Sequence, residues 1–395
     1  MGSKTKSSQK QSGVSVRSLA LGALLGAALS SSAVRTLVVG RVGVPLAGFV
    51  QSRWRGTPGD VLDPNTYDYE GIMADRLVFE VKDLPGKGKG AVAAREIKRG
   101  ELILREHPLL LAPDDETPRE WVHELFYNWT FSPSKRDIFF NLAHWVEDES
   151  INLDPATQTP DERYQLAVGT IEVNVAAVSV GDTSYRALFP RFSRLNHACP
   201  GANNVNYVWR EDLREMRLYA VRDIPKGGEF GGSYIHKLGP TADRIETLKN
   251  TWGFTCGCKF CTQDAEATAQ RDAWAAEWHA LEKDFDERSE AGTLPGPEAI
   301  RIVRDLWTVS FKLDYTGDRA RFSEEAALVA LAHGDTKSAE QWLQLALKYF
   351  SIEVGADGPD ADRIRDLLAY PAGADGFGTK ERLTLQGPDA AWFDS

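Results

Sequence analysis

The chain has 395 residues, 42% of them hydrophobic, 10% aromatic and 26% charged, with four cysteines and a formal net charge of −11. That length accommodates two or three domains and a sizeable core, which excludes a disordered or collagen-like chain. Four cysteines are too few for a disulfide-stapled mini-protein, and the acidic balance argues against direct nucleic-acid binding.

Charge divides the chain first. Residues 1–59 hold eight basic side chains and no acidic one, so from Asp60 onward 38 basic residues face 57 acidic ones, a charge of −19. Such a break marks a separate segment. Inside it, residues 19–29 (LALGALLGAAL) form an apolar run followed by Ser30, Ser31, Ser32 and Ala33. A basic start, a short apolar run and small residues describe a secretory signal or short anchor, and the same features fit a mitochondrial presequence. A second apolar stretch, 36–50, is interrupted by Arg41 and Pro45. Neither run reaches the ~18 uncharged residues of a clean membrane span. The expectation is therefore an N-terminal targeting or anchor segment, with membrane association through residues 18–50. If the segment is not an address, the compartment is cytoplasmic or nuclear.

Short β-like runs come next, at 77–81, 91–94 and 101–105, separated by a flexible loop at 85–90 and a turn at Arg99–Gly100. From 120 to 149 the spacing turns helical, with Trp121, Leu125, Trp129, Ile138, Phe139, Leu142 and Trp145 recurring at three and four. Residues 152–163 read as a polar, Pro-containing loop, and 164–234 as mixed short helix and strand. Beyond 266 the chain is mostly helical. The period appears over 273–285, 297–311, 323–333 and 336–350, broken at Gly292, Gly317 and Gly334. The pair around Gly334–Asp335, with Ala339, Trp342, Ala346 and Phe350, looks like a tetratricopeptide helix pair. A single pair predicts a helical hairpin domain with repeat-like packing, not a solenoid.

All four cysteines fall within 63 positions: Cys199, then Cys256, Cys258 and Cys261 in a C-x-C-x-x-C run. Zinc takes four thiolates tetrahedrally, and Gly257 allows the tight turn that brings neighbouring sulfurs onto one ion. Three clustered thiolates need a fourth, and Cys199 is the one available. The blander alternatives are buried free thiols or, in an exported chain, a disulfide. A closed four-cysteine site leaves no position for water and is structural.

Around Cys199 the chain reads LFPRFSRLNHAC (188–199); downstream come AVRDIPKGGEFGGSY (220–234) and WGFTC (252–256), and upstream KGKG (87–90) with REIKRGE (95–101). These blocks, in this order, resemble the SET-domain family of S-adenosylmethionine-dependent protein-lysine methyltransferases. They look closest to its SET-and-MYND-related fungal branch, without a MYND finger, since 107–185 contains no cysteine. The resemblance covers about 72–262, and the helical C-terminus more loosely.

It implies an α+β fold: a β-rich SET domain over 72–235 with a pseudoknot and a helical insertion near 112–185, a post-SET zinc module over 236–262, and an α-helical domain over 263–395. It also implies S-adenosylmethionine held by the loop of Lys87, Gly88, Lys89 and Gly90, by Asn196 and His197, and by Phe254 near the adenine. Tyr234 matches the tyrosine closing the active-site channel, and Cys199 joins Cys256, Cys258 and Cys261 around one zinc. The asparagine that follows the N-H-x-C block in the family corresponds to Asn203 or Asn204. The implied activity is methyl transfer to a lysine of a protein substrate. Two alternatives remain: a SET-like cofactor- or partner-binding protein with little transferase activity, and a SET protein acting on a small molecule.

Overall fold

The computed structural model describes residues 78–114, 119, 122, 133–146, 150–154, 157–235 and 238–395. The basic segment 1–59, the positions Trp121, Leu125 and Trp129, and the first residues of the 72–235 block lie outside them. No helix among the described residues is long and apolar enough to cross a membrane.

Strands β1 (Phe79–Leu84) and β2 (Gly88–Ala93) form a hairpin in register from Phe79↔Ala93 to Leu84↔Gly88. Its turn is tighter than the loop expected over 85–90. Gly86 and Gly88 take φ of 72° and 68°, a left-handed conformation cheap only for glycine, and the second strand starts at Gly88. Strands β3 (Leu102–Glu106), β8 (Val205–Arg210) and β9 (Glu215–Ala220) form an antiparallel sheet in the order β3-β9-β8. A third sheet, order β4-β6-β5, joins β4 (Leu110–Pro113), β5 (Val175–Val180) and β6 (Thr183–Leu188). The shortest pair is parallel: β7 (Asn196–His197) lies beside β10 (Gly231–Gly232). Phe79, Ile97, Ile103, Leu104, Leu218 and Phe230 are buried together beneath these sheets.

The insertion between β3 and β7 is not purely helical, since it contains the β4-β6-β5 sheet. The helices bounded there among the described residues are α1 (Pro133–Phe140) and α2 (Pro160–Asn174). Two boundaries differ from the periodicity. Residues 141–146 are not helical, so among the described residues the pattern read over 120–149 stops at Phe140. Helix α2 begins inside the expected 152–163 loop, because Thr159 and Glu162 make a capping box: Glu162 N–H donates to Thr159 Oγ1 (3.3 Å) and Thr159 N–H to Glu162 Oε2 (2.8 Å). The T-x-x-E signature was present in the sequence and outweighs the polar composition.

Beyond the β region run α3 (Thr241–Trp252), α4 (Ala265–Glu290), α5 (Gly296–Lys312), α6 (Arg319–Ala332), α7 (Thr336–Phe350) and α8 (Pro359–Ala369). Asp264 and Asp335 cap α4 and α7 by accepting N–H bonds from Ala267 (2.8 Å) and Ser338 (3.1 Å). One apolar core holds Trp278, Phe285, Trp307, Phe322, Trp342 and Tyr349, and the tail returns to stack Trp392 on Trp307 at 4.8 Å. A π-helical turn, Ser351–Gly355, carries this domain onto β8 and β9. There Asn206 Nδ2 donates to the Glu353 carbonyl (3.1 Å), and buried Arg217 pairs with Asp357 (2.7 Å). Gly355 packs under Tyr219, where a Cβ would collide with the phenol. The helical domain therefore sits directly behind the strands that end at the site.

Candidate active site

Four blocks far apart in the chain meet at the β7–β10 pair. The segment entering β7 is pinned from below by Glu106, a fully buried carboxylate on β3. It accepts N–H bonds from Arg191 (2.8 Å) and Phe192 (2.7 Å), holding the 3-10 turn Phe192–Arg194 that delivers Asn196 and His197. A buried carboxylate bonded to backbone N–H groups is a strong, directional clamp.

Strand β10 is held by Asn204. Its Nδ2 donates to the Glu229 carbonyl (2.9 Å) and its Oδ1 accepts from Gly231 N–H (2.8 Å), while Gly231 O accepts from Asn204 N–H (3.1 Å). These contacts make Asn204 the asparagine that clamps β10. Asn203 instead bonds within its own turn, to Gly201 N–H and Val205 O. Gly231 is needed for close approach, because a Cβ there would meet the Ala198 Cβ at 2.8 Å. Glycines that weaken strand propensity in isolation here let two backbones pair.

On the other side of β7, Asn196 Nδ2 donates to Glu229 Oε1 (3.0 Å), and Lys87 Nζ reaches Glu229 Oε2 (2.6 Å). Gly90 faces the same point: a Cβ would strike the Asn196 amide and Leu84. The β1–β2 turn is thereby brought against β7 with Gly88 exposed at its rim. Lys89 lies farther out, pairing with Asp83 at 3.4 Å. Of the four turn residues expected near the cofactor, Lys87 and Gly90 touch the shared cluster. Glu229, the hub of that cluster, was not singled out by the sequence reading, although it sits in the quoted Gly-Gly-Glu block.

Tyr234 closes the arrangement. Its N–H donates to His197 Nδ1 (3.0 Å) and its hydroxyl to Leu195 O (2.6 Å). An accepting Nδ1 leaves the proton of neutral His197 on Nε2, which donates toward Cys199 Sγ at 3.3 Å. One imidazole thus joins the thiol cluster to the Tyr234 backbone. Around the Tyr234 ring stand His197 (5.2 Å), Trp252 (5.3 Å) and Phe254 (6.3 Å, perpendicular). Trp252 is a wall residue that the sequence reading quoted without a role. It ends α3, where Gly253 at φ 75° turns the chain toward Phe254 and Cys256. Burial, with smaller effects from Tyr207 and Glu229, pushes the Tyr234 phenol well above its ordinary pKa. Tyr207 is likewise raised by burial, to about 12. Both are neutral phenols across the physiological range.

The four cysteine sulfurs lie within 4.8 Å of one another and no pair is a disulfide. Cys199 Sγ is 3.8 Å from Cys256 Sγ and 3.5 Å from Cys261 Sγ. A tetrahedron with metal–sulfur bonds of about 2.3 Å has edges of about 3.8 Å, so the donor set fits one ion. Protons are unevenly shared among the thiols. Hydrogen bonding to Cys256 pushes Cys199 up, whereas bonding to Cys199 pulls Cys256 down and Cys258 to about 5. Two buried arginines, Arg244 and Arg271, stand beside the cluster. Arg244 on α3 is opposed by its burial, but Cys199 and Cys261 outweigh that and hold its pKa above the usual value. Arg271 on α4, lowered to about 10 by burial and by Arg244, binds the carbonyls of Pro200 (3.0 Å) and Leu313 (2.7 Å).

Residues 88–235 match the family model described as the SET domain. This chain carries a SET domain. The chain is similar to the Schizosaccharomyces pombe protein named histone-lysine N-methyltransferase set5, with 27% identity over 47% of this chain and 50% of the relative. It is also similar to N-lysine methyltransferase SMYD2-B of Danio rerio, 46% identical over 19% of this chain and 17% of that one. The third is N-lysine methyltransferase SMYD2 of Gallus gallus, 41% identical over 30% and 22%. The matches thus span half the length of the first relative and less than a quarter of the other two. The β7–β10 pair, Asn204, Glu229 and Tyr234 all fall inside the matched SET domain, and the C-x-C-x-x-C run lies beyond it, after α3.

Proposed function

We propose that this protein is an S-adenosylmethionine-dependent protein-lysine N-methyltransferase whose reaction centre is the Tyr234 end of the β7–β10 pair. The observation that carries this reading is the convergence of Tyr234, His197, Asn196, Glu229 and the Lys87–Gly90 turn on one parallel pair, within a SET domain whose named relatives are lysine methyltransferases. The parallel crossing of β10 beside β7 supports reading this pair as the SET pseudoknot. The aromatic ring of Phe254 and the exposed rim at Gly88 support a cofactor site on that side.

When bound, S-adenosylmethionine supplies a sulfonium methyl group open to in-line attack by an amine. The amine must first be neutral, and for a free lysine at pH 7 that costs about 4.6 kcal/mol. Aromatic walls from Tyr234, Trp252 and Tyr207 lower the cost by desolvating the ammonium form. The Tyr234 hydroxyl proton is committed to Leu195 O, so its lone pairs are left to accept from the amine and aim its nitrogen. A phenol held above its ordinary pKa is an orienting group here, not a base. Asn196 and Glu229 keep the cofactor-side edge of β7 fixed while Glu106 and Asn204 hold the two strands.

The four cysteines, in this reading, hold one structural zinc. A closed tetrathiolate zinc carries a charge of −2, which Arg244 and Arg271 neutralise in a buried setting. Through His197 the metal cluster would hold Tyr234 in place without taking part in transfer.

A lysine-peptide array incubated with radiolabelled S-adenosylmethionine tests the proposal. Wild type should label a subset of peptides, and Tyr234→Phe should lower labelling about 100-fold, the usual loss for one preorganised polar group. S-adenosylhomocysteine binding by calorimetry should survive in that variant. Cofactor binding by wild type with no label on any peptide would favour the SET-like binding protein instead.

A further inference from the structure

A cavity of about 80 Å³ lies where the SET domain meets the helical domain, lined by Asn206, Ser233, Ile235, Tyr315, Thr316 and Glu353 among others. Ser233 and Ile235 flank Tyr234 in the chain, so the cavity borders the segment that carries the candidate catalytic tyrosine. By this measure about 10–15 Å³ holds one water, so the space admits the charged head of a side chain with solvent to spare.

Glu353 is out of place unless something meets it. It is 9% exposed, and its Oε1 has no hydrogen-bond partner. Among the described residues no basic side chain forms an ion pair with it. Arg319 is turned to Ser310 Oγ (3.0 Å) and Tyr349 (3.3 Å); Arg99 gives Nη1 to Ser395 O (2.7 Å), and its buried Nε and Nη2 have no hydrogen-bond partner. The nearby acid Asp318 is already engaged by the Tyr315 hydroxyl (2.8 Å) and by Arg321 (3.3 Å). A buried carboxylate oxygen without a partner costs stability and calls for an explanation. The backbone here is firmly placed, since the Glu353 carbonyl accepts from Asn206 and Gly355 is wedged under Tyr219. Glu353 therefore lines the cavity from a firmly placed turn, with its Oε1 buried at the cavity wall.

We propose that this cavity is a subsite for a second cationic side chain of the substrate, with Glu353 as its specificity-determining residue. The proposal rests on the lysine-methyltransferase reading for the word substrate, while the cation site itself does not depend on transfer. A lysine or arginine head placed there would give Oε1 its missing partner while the target lysine, close by in the same peptide, lies at Tyr234. The charge of −19 over the body of the chain draws such peptides in. Burial, with Asp318 adding to it and Arg319 and Arg99 opposing, raises the Glu353 pKa to about 8, so an entering cation displaces a proton at neutral pH.

Fluorescein-labelled decapeptides in a Gly-Ser background test the site by anisotropy. One contains a single lysine, others contain two lysines one, two or three residues apart, and controls carry norleucine in place of the second. Wild type should bind the best two-lysine peptide about tenfold more tightly than the single-lysine one, the scale of one charge-assisted hydrogen bond. Glu353→Gln should shrink that ratio to about twofold, whereas Glu340→Gln, an exposed change of equal charge, should preserve it. Calorimetry of wild type in two buffers of different ionisation enthalpy needs no variant: proton release at pH 7 should accompany the two-lysine peptide alone. A ratio near one in wild type, an unchanged ratio in Glu353→Gln, or no proton release would overturn the subsite. Labelling of the same peptides separates the two readings. Label without the Glu353-dependent ratio leaves transfer standing and removes the subsite, and the ratio without label does the reverse.

Discussion

In the β-rich half of the molecule, the groups that set the site are polar and are held one by one. Glu106 grips two N–H groups, Asn204 bridges β10, Glu229 joins Lys87 to Asn196, and His197 connects Cys199 to Tyr234. In the helical half, Trp278, Trp307, Trp342, Phe322 and Tyr349 fill one continuous apolar core. Apolar contact is non-directional and supplies bulk stability, while the bonds around β7 and β10 fix positions to fractions of an ångström. The contrast separates what keeps this protein folded from what keeps its site in register.

The largest effect should come from the metal. Wild type should carry one zinc per chain by plasma mass spectrometry, and Cys258→Ser should lose it. Tetrathiolate sites contribute roughly 10–16 kcal/mol to their own module, so limited proteolysis of that variant should cut first between residues 236 and 262. A metal-free, protease-resistant wild type would break the comparison at its polar side. Next in size, Trp342→Ala removes a fully buried indole and should lower unfolding free energy by about 3–5 kcal/mol in denaturant titration. Binding of S-adenosylhomocysteine by the fraction still folded should be unchanged, which sharpens the division of labour.

Smaller effects probe the seam between the halves. Glu353 has its pKa raised by burial from 4.5 to about 8, so the folded state keeps a proton that the unfolded chain releases. Its stabilising effect is complete below pH 4.5 and is lost as the pH rises through 8, at no more than about 1.4 kcal/mol per pH unit. Glu353→Gln should flatten the pH dependence of melting temperature across that window, gaining on wild type toward the alkaline end. The smallest change is Thr159→Ala, which dismantles the α2 capping box. It should cost about 1 kcal/mol with no change in labelling of peptides.

The two halves also differed in how far they could be read beforehand. Periodicity located α5 and α7 closely because their apolar residues recur at three and four. It misplaced the start of α2, where the capping box overrode composition, and overran the end of α1. The C-x-C-x-x-C run and the Asn-His-x-Cys block carried the family resemblance because their spacing reflects local chemistry. Glu106 left no such signal: a glutamate ending a strand is ordinarily solvated, and only the fold shows that it points inward. Trp252 and Glu229 stood in the quoted blocks, yet their partners lie 18 and 142 residues away.

What the sequence determined alone was everything set by short range. That includes the charge break near residue 60, the helices with strong periodicity, the four sulfurs and the SET blocks, since each depends on neighbours within a few positions. Only tertiary structure decided that Asn204, not Asn203, clamps β10, that the Gly231–Gly232 strand is paired rather than loose, and that Glu353 lines one cavity with Ser233 and Ile235. Those outcomes depend on which backbones approach one another. Long-range approach is governed by packing and burial over the whole chain, which no local pattern encodes.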